Sequence, residues 1–243
     1  MKNMLQTMMG IALGFWVAGC GDVVNDEAKI VSKVDVPFNT IGVYIVIDYS
    51  GSMADGVLNE NGVPEQKCAI VKRSLSSMGE KFDNYLASNN TVNIFSGLII
   101  MDGGRVIVAD NVFLKNGVQD KYKDWNTSYL NHIPYGSTPL GNAIDQAYNQ
   151  MNSLRIKSKN IIVLTDGESN QGESPETILA KFKAESTNGV IVGVHFVAFD
   201  VNAECFNGVK SLGATVFGAS NENELNEKIN VILKDKILLE KED

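Results

Sequence analysis

The sequence predicts an α/β fold: a doubly wound, mostly parallel six-stranded sheet with one antiparallel edge strand and helices on both faces. Three observations point there. Apolar runs of strand length alternate with longer amphipathic stretches along most of the chain, which is the order in which parallel βαβ units are built. The run IGVYIVI at 41–47 is apolar on both side-chain parities and rich in β-branched residues, as a strand buried on both faces must be. The runs at 91–100 and 105–109 are joined only by Met101-Asp102-Gly103-Gly104, too few residues for a parallel crossover, so this pair is an antiparallel hairpin.

The elements follow in order. After the central strand at 41–47, residues 54–66 form a polar insertion with Asn61-Gly62 and Pro64, read as a segment that borders the functional face and sets partner specificity, with a plain surface loop as the alternative. Residues 65–86 carry Val71, Leu75, Met78, Phe82, Tyr85 and Leu86 at helical spacing, enough to cover one face of the sheet. Residues 139–154 place Leu140, Ile144, Ala147, Tyr148, Met151 and Leu154 on one side of a second helix. A short apolar strand, NIIVL, occupies 160–164. Ser174-Pro175 opens a third helix with a capping hydroxyl and a proline at its first position, and Asn188-Gly189 closes it. A buried strand at 190–199, a short helix at 203–212, a short strand at 214–217 and a last helix at 222–239, with Leu225, Ile229, Ile232 and Leu233 inward, complete the series. No internal repeat or low-complexity segment interrupts it.

The chain has 243 residues, 44% of them hydrophobic and 21% charged, which suits one substantial core and little more. That domain is assigned to 39–240. Ahead of it, Lys2, the apolar stretch 8–17 and the tetrapeptide Val17-Ala18-Gly19-Cys20 read as an export signal over 1–19. The tetrapeptide resembles a bacterial lipobox, which implies a lipid on Cys20 and a tether over 20–38. An ordinary secretory signal, an uncleaved membrane helix and a buried core helix are the competing readings, and the stretch is short for a membrane crossing and interrupted by Gly10 and Gly14. The expected location is therefore the cell membrane, as an exported lipoprotein facing the periplasm or the exterior. The net charge is −8; without a basic face beyond Lys121 and Lys123, nucleic acid is not an expected partner. Cys68 and Cys205 are either two free thiols or a disulfide, since their separation in sequence gives no geometry.

Polar residues just past the carboxyl ends of strands are the ones to inspect in such a sheet. Asp48-Tyr49-Ser50-Gly51-Ser52 follows the first strand, Thr165-Asp166-Gly167 follows the strand at 160–164, and Gly136-Ser137-Thr138-Pro139 leads into the second helix. These segments resemble the metal-ion-dependent adhesion site of von Willebrand factor type A domains: a DxSxS pattern, a threonine on a second loop and an aspartate on a third. The resemblance extends over roughly 43–238. It implies that Asp48, Ser50, Ser52, Thr138 and Asp166 hold a divalent cation, with the serines in direct contact and an Asp or Glu of a partner protein at an open coordination position. The residue types suit Mg²⁺, with Mn²⁺ or Ca²⁺ as alternatives, because hard cations take carboxylates, neutral oxygens and water. Each segment also has a plainer reading: Asp and Ser favour turns, and Thr138-Pro139 is a good helix start.

Tyr49 and Met53 are expected at the rim of the contact surface, with His132 and Glu168 near it; Glu173 is either a second local acid or a solvated one. His195 lies inside an apolar strand and reads as a core residue. A metal-dependent hydrolase or phosphoryl-transfer enzyme needs a base or nucleophile beside the ion and a phosphate cradle. The sequence has no Gly-x-x-x-x-Gly-Lys loop and no histidine pair at ligand spacing, and Ser50 stands where a phosphoaspartate enzyme needs a second acid. The expectation is thus a protein-binding module, monomeric on its own and not an enzyme, with the hydrolase and a constitutive scaffold as alternatives.

Overall fold

A computed structural model describes residue 37 and residues 39–238, apart from 110, 153, 155, 157 and 186–191. The predicted export signal, Cys20 and nearly all of the tether lie outside the described residues. So does the predicted helix stop at Asn188-Gly189.

In chain order the elements are β1 (Thr40–Asp48), β2 (Gly56–Leu58), β3 (Pro64–Gln66), α1 (Lys67–Ser88), β4 (Asn93–Asp102), β5 (Arg105–Val108), β6 (Val112–Leu114), α2 (Val118–Tyr129) and α3 (Leu140–Asn152). They continue with β7 (Ser158–Thr165), α4 (Pro175–Glu185), β8 (Val192–Phe199), α5 (Asn207–Ser211), β9 (Thr215–Ala219) and α6 (Glu222–Ile232). The main sheet runs β5-β4-β1-β7-β8-β9, with β6 also paired to β4. All neighbours are parallel except β5 and β6 against β4. The mostly parallel α/β sheet with an antiparallel edge is thus as predicted, but that edge is split into two short strands laid end to end along β4.

β1 is central and wholly buried. Its two parities feed two cores: Ile41, Val43, Ile45 and Ile47 pack with α1, α2 and α6, while Tyr44 and Val46 pack with α3, α4 and α5. Burying each such Ile or Val contributes roughly 1.5–3 kcal/mol, so this strand anchors both halves. Ser174 caps α4 as expected, its Oγ accepting the Thr177 N–H at 3.2 Å. Cys68 and Cys205 are free.

Two elements depart from the sequence reading. The insertion at 54–66 is not a plain loop but the antiparallel hairpin β2–β3. It is fastened by Arg73, which donates to Glu65 Oε1 at 2.6 Å and to the buried Glu222 Oε1 at 2.9 Å, while the Glu60 N–H donates to Glu222 Oε2 at 2.9 Å. The second departure is α2, where Val118, Tyr122 and Trp125 are buried at helical spacing. Its first amides, Val118 and Gln119, are capped at 2.9 Å each by the two carboxylate oxygens of Asp83 on α1. Gly79 allows that approach, since a Cβ there would lie 2.6 Å from Gln119 Cα. Among the described residues no helix is long and apolar enough to cross a membrane.

Candidate metal site at the carboxyl edge of the sheet

β1 and β7 are parallel neighbours in register, Ile47 beside Leu164, so Asp48 and Thr165 end their strands side by side. The Asp48 carboxylate is fully buried; Oδ1 accepts the Ser50 N–H at 3.0 Å and Oδ2 accepts the Thr165 hydroxyl at 2.7 Å. Burial pushes its carboxyl pKa up, against the pull of the Ser50 and Thr165 hydrogen bonds.

Three loops meet here, and each pair is joined by a hydrogen bond. Gly51 N–H donates to the Gly136 carbonyl at 3.2 Å, linking the first loop to the second. Ser52 Oγ donates to Asp166 Oδ1 at 2.7 Å, linking the first to the third. Thr138 N–H donates to Asn170 Oδ1 at 2.8 Å, and the Asn170 N–H returns to the Thr138 carbonyl at 3.2 Å, linking the second to the third. Gly136 makes the second loop fit: its φ is +82°, in the left-handed region, and a Cβ there would stand 2.6 Å from Gly103 Cα.

Ser50, Thr138 and Asp166 are buried, and Ser52 is exposed. Ser50 Oγ lies 3.4 Å from Ser52 Oγ, and Ser52 Oγ lies 2.7 Å from Asp166 Oδ1. Adjacent corners of an octahedron with the short oxygen distances of Mg²⁺ are about 3 Å apart, so the observed separations bracket what a small hard cation requires. The donors are all oxygens. Among the described residues no group of three or more His, Cys, Asp or Glu could hold a metal; the set here is two carboxylates and hydroxyls.

Two expected contact residues are not at the surface. Tyr49 and Met53 are fully buried and belong to the core under α1. The Tyr49 hydroxyl reaches the carbonyls of Leu130 at 2.5 Å and His132 at 2.8 Å, which gives a polar end to an otherwise apolar ring. His132 is exposed and pairs with Asp102 at 3.1 Å. Glu168 is exposed, and Glu173 pairs with Lys181 at 2.5 Å away from the three loops' contacts. His195 is buried on the sheet, and neither ring nitrogen finds a partner among the described residues.

Several residues of the site were not singled out by the sequence reading. Thr165 and Asp200 each stand at the carboxyl end of a strand and were findable by the rule that located Asp48 and Asp166. Lys67 had no such signal: it is brought in by the hairpin, and its Nζ lies 3.0 Å from Asp166 Oδ2 and 2.9 Å from Asp200 Oδ2. The large apolar side chains exposed among the described residues are Leu58, Val63, Ile133 and Tyr135. The first two belong to the hairpin and the last two to the loop before Thr138.

The von Willebrand factor type A domain model matches residues 42–230. A search of curated proteins finds no match. Among solved structures, the chain is similar to the pilus adhesin SpaC from Lactobacillus rhamnosus GG, with 16% identity and a TM-score of 0.59 over 80% of this chain and 30% of that one. It is similar to the PilB minor pilin from Streptococcus sanguinis, with 17% identity and a TM-score of 0.60 over 84% of this chain and 62% of the pilin. It is also similar to the vWF domain of the type V pili tip protein Mfa5 from Porphyromonas gingivalis, with 13% identity and a TM-score of 0.52 over 82% and 96% respectively. The chain therefore spans less than a third of the adhesin and under two thirds of the pilin, and these likenesses show a shared fold.

Proposed function

Because the chain belongs to the von Willebrand factor type A family, we propose that it is a metal-dependent protein-binding module of the bacterial cell envelope. In this reading Asp48, Ser50, Ser52, Thr138 and Asp166 hold a divalent cation, with Mg²⁺ the best fit and Mn²⁺ or Ca²⁺ as substitutes. The ion supplies positive charge and a coordination position for an anionic oxygen, here the Asp or Glu carboxylate of a partner protein.

The observation that carries the proposal is the closed triangle of loops, Gly51 to Gly136, Ser52 to Asp166 and Thr138 to Asn170. It joins the three loops that carry these five residues, and loops joined in this way pay less ordering cost on binding. The exposed Leu58, Val63, Ile133 and Tyr135 on the bordering loops supply apolar surface of the kind a protein partner covers. Binding suits the site better than catalysis does. Both oxygens of Asp166 are already engaged, by Ser52 and by Lys67, so that carboxylate is a poor general base.

An export signal over 1–19, a lipid on Cys20 and a tether over 20–38 would hold the module at the membrane, facing the periplasm or the exterior. Neighbours of the fold that are named as a pilus adhesin, a minor pilin and a pilus tip protein support a role in adhesion or assembly there. Capture from an envelope extract, with and without EDTA, compares the wild type with Thr138→Ala. A partner retained by the wild type only without EDTA, and not by the variant, supports the proposal. A partner held equally in all four conditions would show a constitutive scaffold instead.

A further inference from the structure

Lys67 opens α1 directly after the hairpin, and its backbone N–H donates to the Asp55 carbonyl at 2.9 Å. Its side chain is only 6% exposed and lies between the occluded carboxylate of Asp166 and the more exposed one of Asp200. Lysine is rarely this buried unless it is paired. One of the candidate metal donors thus already carries a monovalent cation.

We propose that Lys67 is a resident countercation of the metal site: it competes with the divalent ion for Asp166, keeps affinity for the bare ion low, and makes tight binding depend on an anionic partner group. The proposal rests on the metal-site reading above. Asp48 and Asp166 balance a divalent ion and Asp200 balances Lys67, but the Asp200 carboxylate is 42% exposed and screened by water, so the field at the buried ion stays positive. A carboxylate arriving from a partner offsets that field, so ion and partner favour each other.

Asp200 is the positioning residue for this ammonium. Its backbone N–H donates to the Ala219 carbonyl at 2.7 Å, and it holds a φ of +58°, the only non-glycine in the left-handed region among the described residues. That conformation holds the carboxylate at the end of β8, 2.9 Å from the Lys67 ammonium, so that Asp200 shares the ammonium with Asp166.

The test is calorimetric titration with Mn²⁺, with and without acetate, on the wild type, Lys67→Met, Asp200→Asn, the double variant and Asp48→Ala. Lys67→Met is expected to bind Mn²⁺ about tenfold tighter or more and to gain less from acetate than the wild type does. Asp200→Asn, which keeps a residue that tolerates the left-handed backbone, is expected to bind Mn²⁺ severalfold more weakly. That loss should vanish in the Lys67→Met background, because Asp200 acts through Lys67. Equal Mn²⁺ affinity in the wild type and Lys67→Met overturns the proposal and leaves the metal site standing. If Lys67→Met does not fold, unchanged Mn²⁺ binding in Asp200→Asn overturns it alone. No Mn²⁺ binding by the wild type or by Lys67→Met, or full binding by Asp48→Ala, removes the metal site and this proposal together.

Discussion

The Thr165 hydroxyl donates to Asp48 Oδ2 at 2.7 Å across the seam between β1 and β7. Thr165 Oγ1 also accepts the Gly167 N–H at 3.3 Å, so one side chain ties the first loop of the candidate site to the third. Thr165→Val keeps the shape and removes the donor, leaving a buried carboxylate short of a partner. A loss of about 1.5–3 kcal/mol in urea unfolding is expected, together with weaker Mn²⁺ binding. Stability within about 0.5 kcal/mol of the wild type would show that the bond is dispensable.

Mg²⁺ or Mn²⁺ should raise the melting temperature, because an ion bound only by the folded state stabilises it by mass action. At a hundred times Kd the gain is about 2.7 kcal/mol, worth roughly 5–10 °C for a domain of this size. Differential scanning calorimetry checks it. The response should disappear in Asp48→Ala, and a persisting response there would mean that the ion sits elsewhere.

His195 predicts a pH dependence separate from the candidate metal site. Burial pushes its pKa down to about 4, with Lys236 adding to the effect. Between that value and the ordinary 6.5 the unfolded chain binds a proton that the folded chain refuses. The stability this neutral histidine contributes is complete above about pH 6.5 and drains away as pH falls toward 4, by an amount on the order of 3 kcal/mol. Urea unfolding of His195→Phe should show a flatter stability profile across that window than the wild type. Parallel profiles would place the titration elsewhere.

Gly136→Ala should damage the site from the backbone outward. The substitution forces a side chain into the left-handed region and against Gly103 Cα, so a cost of about 1 kcal/mol or more is expected. Mn²⁺ affinity should fall with it, since the loop carrying Thr138 must shift. Unchanged affinity would mean that this loop has slack.

The parts of the site that were legible in the sequence are those the sheet itself positions. Asp48 and Asp166 stand at strand ends, and strand ends are marked by the change from apolar to polar residues. The same rule reached Ser50 and Ser52 by adjacency. It failed for Tyr49 and Met53, because a polar loop does not reveal which of its side chains turn back into the core; Tyr49 does so by finding the carbonyls of Leu130 and His132. The helix α2 went unread although Val118, Tyr122 and Trp125 repeat at helical spacing. Its start lacks a local capping side chain, and the cap comes from Asp83, 35 and 36 positions earlier. Lys67 was hidden for a similar reason, since only the folded hairpin carries it to the two aspartates.

Arg73 gives the hairpin an unexpected mechanical standing. One guanidinium grips Glu65 at the base of the hairpin and Glu222 at the head of α6, so parting the hairpin from α6 means breaking one of these two ion pairs. A partner that covers Leu58 and Val63 would therefore dock on a hairpin already pinned to its neighbours on two sides.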